Sequence, residues 1–278
     1  MKVTEKNPYH IIKVYRQMAG KDFDFMKIQT FGVGGRQREC EKVLSEKIGN
    51  RPSGQLLLLP IPTTRDGAHI TGTEIPLSSL LSYVDSDTVT VGYGIPRDIV
   101  DEIRSMGGVV LDVGDDEDFL SVNAEITARG ALGWILTQMQ KDATDLKIGI
   151  IGYGRIGKSL LRLLLFLGAY VTVYTTKASV AEELCARGVS TSVYPWNACA
   201  DGLDLLVNTA PAKLLSAEEE KRFLQNAKIL DLASGKIFGE CDNLKKLSSI
   251  PEAFYPVSAG AVYAEKIIKF LDSEGVIC

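Results

Sequence analysis

Residues 147–177 read KIGIIGYGRIGKSLLRLLLFLGAYVTVYTTK. Lys147–Ile151 is a short isoleucine-rich run of the kind that forms a buried parallel strand. It ends in Gly152-Tyr153-Gly154-Arg155-Ile156-Gly157. Lys158–Leu167 is helical in composition, Gly168 stops it, and Ala169–Tyr174 reads as a second strand. Strand, Gly-x-Gly-x-x-Gly, helix, strand is the order of a dinucleotide-binding unit. Gly152 is expected to permit the tight turn, Gly154 to let backbone approach a pyrophosphate, and Gly157 to bring helix and strand together. Tyr153, Arg155 and Ile156 complete the candidate cofactor loop, and the helix N-terminus offers its free N–H groups to the phosphates.

An acid at the end of the second strand usually takes the ribose 2′-hydroxyl in NAD binders. Here that end is Tyr174-Thr175-Thr176-Lys177, without an acid. Hydroxyls followed by a lysine suit a 2′-phosphate, so NADP is expected, with NAD as the alternative.

The rest of the chain repeats the alternation. Expected strands are Phe23–Phe31, Gln55–Leu59, Thr88–Gly92, Val109–Val113, Val189–Val193, Asp204–Asn208, Lys228–Ala233 and Ala253–Val257. Expected helices are Tyr9–Met18, Arg38–Ile48, Pro96–Met106, Asn123–Gln140, one capped by Ser179 and ending at Gly188, one capped by Ser216, and Ala259–Ser273. The fold class is α/β: two α/β domains joined by a hinge helix, the second a doubly wound parallel Rossmann sheet of order 3-2-1-4-5-6. The expected boundaries are 1–122 and 123–278, with the hinge helix over 123–141 and a last helix, 259–274, able to pack back on the first domain. Gly32-Val33-Gly34-Gly35 reads as a plain strand-to-helix turn, with a second phosphate turn as the alternative.

At 278 residues with 45% hydrophobic and 24% charged content, the chain is long enough for two cores. A net charge of −4 without a basic block argues against nucleic acid. The longest apolar run, Leu160–Leu167, is interrupted by Arg162 and too short to span a bilayer. The N-terminus lacks a signal-peptide core, and five cysteines without a C-x-x-C pair suit free thiols, so a cytoplasmic setting is expected. Two histidines, His10 and His69, exclude a metal site built on several imidazoles, and no metal is expected.

Ligands in open α/β sheets bind outside the carboxyl ends of strands. Three such ends carry candidates. Pro60-Ile61-Pro62-Thr63-Thr64-Arg65 presents two hydroxyls and an arginine suited to a carboxylate, followed by His69 as the plausible imidazole base. Asn208-Thr209-Ala210-Pro211 and Ser234 are placed to meet the nicotinamide ring.

Several motifs together resemble the A subunit family of dipicolinate synthase. They are Leu59-Pro60-Ile61-Pro62 with the Thr63–Gly67 loop, Asn123 followed by Thr127-Ala128-x-Gly130, the Gly152 turn, Asn208-Thr209-x-Pro211 and Asp231-Leu232-Ala233-Ser234. The resemblance implies a substrate-side domain, a hinge helix and an NAD(P)-binding domain. It implies oxidation of a dihydro- or hydroxytetrahydro-dipicolinate to pyridine-2,6-dicarboxylate, a spore component. It also implies two kinds of partner: further copies of the chain in a homo-oligomer, and a flavoprotein-like B subunit. For that cyclic dicarboxylate the candidates are Thr63, Thr64 and Arg65, with Arg129 and Asn123 from the hinge helix. The chain departs from the family pattern at Gly32-Val33-Gly34-Gly35-Arg36, which lacks the usual acid, at Arg129, where the family has Glu, at Ser258–Ala264, and in a shortened stretch between Ile48 and Gln55. A 2-hydroxyacid dehydrogenase would need a histidine after the fifth strand, and residues 235–265 hold none. The alternative from another class is a non-catalytic NADP-binding partner or sensor with a diverged substrate domain.

Overall fold

The computed structural model describes residues 26–32, 34–48, 54–194, 196, 202–211, 216–233 and 242–273. The expected helix Tyr9–Met18, the first residues of the expected strand Phe23–Phe31, and Ser234 lie outside them. In chain order the elements begin β1 (Lys27–Thr30), α1 (Gly35–Ile48), β2 (Gln55–Leu58), β3 (Thr88–Gly92), α2 (Arg97–Ser105), β4 (Val109–Asp112) and α3 (Glu117–Gln138). They continue with β5 (Lys147–Ile151), α4 (Arg155–Phe166), β6 (Tyr170–Thr175), α5 (Ala178–Ala186), β7 (Ser190–Val193) and β8 (Leu205–Asn208). The last are α6 (Ala217–Asn226), β9 (Lys228–Asp231), β10 (Leu244–Lys246), α7 (Ile250–Phe254) and α8 (Pro256–Ser273). The chain divides into two compact units, Met1–Leu120 with Pro256–Cys278, and Ser121–Tyr255.

The first unit is built on a parallel sheet of order β1-β2-β3-β4. The leucine run of β2 is buried on both faces, which is why it shows no alternation. Leu56 and Leu58 join Cys40, Leu44 and Ile48 of α1 and Tyr263, Ile267 and Leu271 of α8. Leu57 and Leu59 face Ile70, Leu80, Ile99 and Ile103 on the other side. Each such side chain contributes about 1.5–3 kcal/mol by leaving water. Helices α1 and α8 meet at Gly260, where a Cβ would stand 2.6 Å from Glu39 Cβ and 2.8 Å from the Arg36 carbonyl. The Tyr263 hydroxyl donates to the Leu59 carbonyl at 3.2 Å, and burial pushes both its phenol and the Cys40 thiol up.

The second unit is a six-stranded parallel sheet, β10-β9-β8-β5-β6-β7. Counted from β5, this is the expected doubly wound order 3-2-1-4-5-6. Its core centres on Ile148, Ile150, Leu160, Leu164, Val173, Leu205 and Val207. The capping box of α6 is present: Ser216 accepts the Glu219 N–H and the Glu219 carboxylate accepts the Ser216 N–H.

Several expected boundaries are corrected. The sixth strand is Leu244–Lys246, not Ala253–Val257, where α7 ends at Phe254 and α8 begins at Pro256, a first helical position at which proline's missing N–H costs nothing. The helix expected over 123–141 runs Glu117–Gln138. The last helix, expected at 259–274 and able to pack back on the first domain, begins earlier, at Pro256, and groups with the first unit. Ser179 lies inside α5, whose cap position is Lys177. Pro96 caps α2 instead of opening it, and α1 starts at Gly35.

Candidate functional site

Strand β5 delivers its glycine turn to the carboxyl edge of the second sheet, at the point where strand order reverses. Gly152 has φ +93°, and its N–H donates to the Tyr174 carbonyl at 2.9 Å. That backbone is left-handed, so a side chain there would be strained. A Cβ on Gly157 would stand 2.4 Å from the Gly152 carbonyl oxygen, so α4 packs directly on the turn. Gly154 is different: no protein atom lies within 4 Å of the place its Cβ would take. It caps α4 without a side-chain hydrogen bond, which leaves the first-turn N–H groups to an anion. A tight turn, a close helix and open space over the middle glycine together fit a pyrophosphate.

The variable positions of the loop divide. Arg155 is exposed at the first position of α4, and Ile156 packs on the core. The Tyr153 ring carries the Lys158 ammonium 5.2 Å from its centre, and its hydroxyl accepts from Arg187 at 3.5 Å. Tyr153 therefore offers a ligand its backbone. At the end of β6, Thr175 is buried and its hydroxyl oxygen accepts the Lys177 N–H at 3.1 Å. Thr176 and Lys177 are exposed and are the two of this trio available to a phosphate.

The ends of β8 and β9 are joined by a buried network. Asn208 Nδ2 donates to Asp231 Oδ1 at 2.8 Å and to the Ala210 carbonyl at 3.3 Å, while its Oδ1 accepts the Ala210 N–H at 3.2 Å. Asp231, 2% exposed, also accepts the Ala233 N–H and lies 3.8 Å from the Lys246 ammonium. Thr209 donates to the Ile151 and Gly152 carbonyls, bracing the glycine turn from behind. The side chains of Asn208 and Thr209 are thus engaged with the protein. Ala210 is buried and Pro211 exposed. Asp231 was not among the expected site residues; an acid closing the short strand Lys228–Asp231 was the available signal.

In the first unit, Thr63 is fully buried. Its hydroxyl accepts the Tyr93 N–H at 2.9 Å, which ties the β2 loop to the β3 loop. Thr64, Asp66 and His69 form a local cluster. Asp66 Oδ1 accepts from the Thr64 hydroxyl and the Ala68 and His69 N–H groups, and Oδ2 lies 2.8 Å from His69 Nδ1. The His69 N–H, its ring, and the Ala68 N–H hold the Asp66 carboxyl well below the usual carboxylate range. Arg65 is exposed beside this cluster. On α3, Arg129 pairs with Glu125 at 2.8 Å, and Arg162 pairs with the other oxygen at 3.3 Å. The Asn123 carbonyl accepts the Thr127 hydroxyl. Among the described residues no cluster of His, Cys, Asp and Glu could hold a metal, and no helix is long and apolar enough to cross a membrane.

Residues 125–249 match the family model described as D-isomer specific 2-hydroxyacid dehydrogenase, NAD binding domain. No curated protein matches the chain. Among solved structures, the A subunit of dipicolinate synthase from Bacillus halodurans is similar over 89% of this chain and 97% of its own, at 18% identity and a TM-score of 0.70. The corresponding chain of dipicolinate synthase from Bacillus subtilis is similar over 90% and 96%, at 17% identity and a TM-score of 0.71. A transhydrogenase from Sinorhizobium meliloti is similar over 91% and 85%, at 15% identity and a TM-score of 0.63. Residues 125–249 of the second unit are thus similar to a dehydrogenase NAD-binding domain, and the fold of the chain is similar to that of the A subunit of dipicolinate synthase.

Proposed function

We propose that the chain is a nicotinamide-dependent oxidoreductase that oxidises a dihydro- or hydroxytetrahydro-dipicolinate to pyridine-2,6-dicarboxylate, using NADP in preference to NAD. The observation that carries the reading is the open space over Gly154 at the uncapped start of α4, in a doubly wound sheet. The motifs and the fold shared with the A subunit of dipicolinate synthase support the substrate. On this reading the setting is the cytoplasm of a sporulating cell. Its partners are then further copies of the chain and a flavoprotein-like B subunit.

The residues divide the work. The Gly152–Gly157 turn and the first turn of α4 hold the pyrophosphate, and Thr176 and Lys177 take the 2′-phosphate. Arg65 binds a substrate carboxylate, and the Thr64 hydroxyl, which donates to Asp66, holds the loop that carries it. His69, oriented through Nδ1 by Asp66, keeps Nε2 for the proton released as the ring becomes aromatic. Bound nicotinamide would supply the hydride acceptor, and a hydroxytetrahydro substrate would also lose its hydroxyl as water on the way to the aromatic ring.

The test is a spectrophotometric assay with freshly generated hydroxytetrahydrodipicolinate and NADP, then NAD. Reduced nicotinamide and pyridine-dicarboxylate absorbance rising together establish the reaction and its dinucleotide. A second reading, a dinucleotide-binding partner or sensor without turnover, draws on the internal bonds of Thr63 and the Arg129–Glu125 pair, which occupy two expected substrate groups. Dinucleotide binding without turnover, even in the presence of a B-type subunit, would favour it.

A further inference from the structure

In a doubly wound sheet each half of the strand set takes one mononucleotide of the cofactor. The glycine turn and the end of β6 serve the adenosine side. The nicotinamide side falls to β8, β9 and β10, and there the molecule buries a carboxylate, Asp231. Burying a charge is costly unless it is paired and hydrogen-bonded. Asp231 meets that condition through Asn208 Nδ2 at 2.8 Å, the Ala233 N–H at 3.1 Å and the Lys246 ammonium at 3.8 Å. The bond to Asn208 has a directional effect. It turns the Asn208 carboxamide so that Oδ1 accepts the Ala210 N–H, which fixes the backbone leaving β8.

We propose that Asp231, acting through Asn208, is a positioning residue that shapes the strand-end segments 208–211 and 231–233 for the nicotinamide half of the dinucleotide. The proposal rests on the second unit binding such a dinucleotide. It assigns Asp231 a role that the adenosine half does not feel, and this separates it from a purely structural buried acid.

The test is titration calorimetry on the full chain. The ligands are whichever of NADP and NAD binds best, and the matching fragment without nicotinamide, 2′-phospho-ADP-ribose or ADP-ribose. Asp231→Ala and Asn208→Ala should each weaken the whole dinucleotide about tenfold while leaving the fragment within about twofold of wild type. Asp231→Asn keeps an oxygen facing Asn208 Nδ2 and the Ala233 N–H, and should recover most of the lost affinity. Equal weakening of both ligands, or no weakening of either, would overturn the proposal. If Asp231→Ala does not fold, Asn208→Ala and Asp231→Asn decide: selective loss in the first with retention in the second supports it, and any other pattern overturns it. Wild-type protein that binds neither ligand would overturn the dinucleotide reading and this proposal with it. Wild-type binding of both with unselective variants overturns this proposal alone.

Discussion

Two strand ends in this molecule treat polar chemistry in opposite ways. At the end of β5 the chain removes side chains: Gly152 turns, Gly157 admits the helix, and Gly154 leaves space that no protein atom fills. At the end of β2 it adds them, and they turn to one another. Thr63 ties down Tyr93, and Asp66 gathers Thr64, Ala68 and His69. The first edge advertises its ligand by what it omits. The second is a preorganised loop whose hydroxyls, carboxylate and imidazole are engaged with one another, with Arg65 exposed beside them. The contrast is between a helix start built of bare backbone and a loop whose hydroxyls and charges are already engaged.

Substitution can break the contrast. The largest effect is expected from Gly157→Val, whose side chain would be driven against the Gly152 carbonyl. Dinucleotide affinity should fall about a hundredfold and stability by about 3 kcal/mol, read by calorimetry and urea unfolding. Gly154→Ala sharpens the point, because its new methyl meets no protein atom. Its stability should stay within about 0.5 kcal/mol of wild type while affinity falls about tenfold. Retained affinity would show that the space is not a phosphate seat.

At the other edge, Thr63→Val should do the reverse. It leaves the Tyr93 N–H unpaired and should lower stability by about 1–2 kcal/mol without changing dinucleotide affinity. The smallest effect is the pH dependence of Asp66→Asn. The Asp66 carboxyl is held below its ordinary value in the folded chain, so its contribution is complete above the unfolded value of about 4 and is lost as pH falls below it. The gap in urea midpoint between wild type and variant should be present at pH 6 and narrow towards pH 3. A gap that is constant across that range would show that the anion does not hold the loop.

The sequence exposes what backbone geometry dictates. The glycine spacing and isoleucine run of Lys147–Gly157, the leucine run of β2 and the box at Ser216 each force a local form, and each is found. Edge strand β10 escapes because Leu244-Lys245-Lys246 pairs on one side only and needs no apolar run. The start of α8 escapes because Pro256 resembles a strand end as readily as a helix start. The roles of polar residues are legible only as far as their partners are near in sequence. Asn208 looks like a ring-positioning group until its partner Asp231 is seen, and Thr209 until its hydroxyl is found on Ile151 and Gly152. Asp231 is visible in the sequence as an acid at a strand end, but its burial, the property that distinguishes it, comes only with the sheet.

Helix α8 fills the side of the first sheet that α1 begins to cover, setting Tyr263, Ile267 and Leu271 against Cys40, Leu44 and Ile48. Every residue of the second unit precedes it in the chain. On the ribosome, domains generally complete in the order in which they emerge. Here that order is inverted: the first unit is started early and held open, and the second has all its residues before the helix that closes the first is made. A nascent chain stalled before Pro256 would hold every residue of the second unit while the first unit's apolar face, Cys40, Leu44 and Ile48, lacked its covering helix.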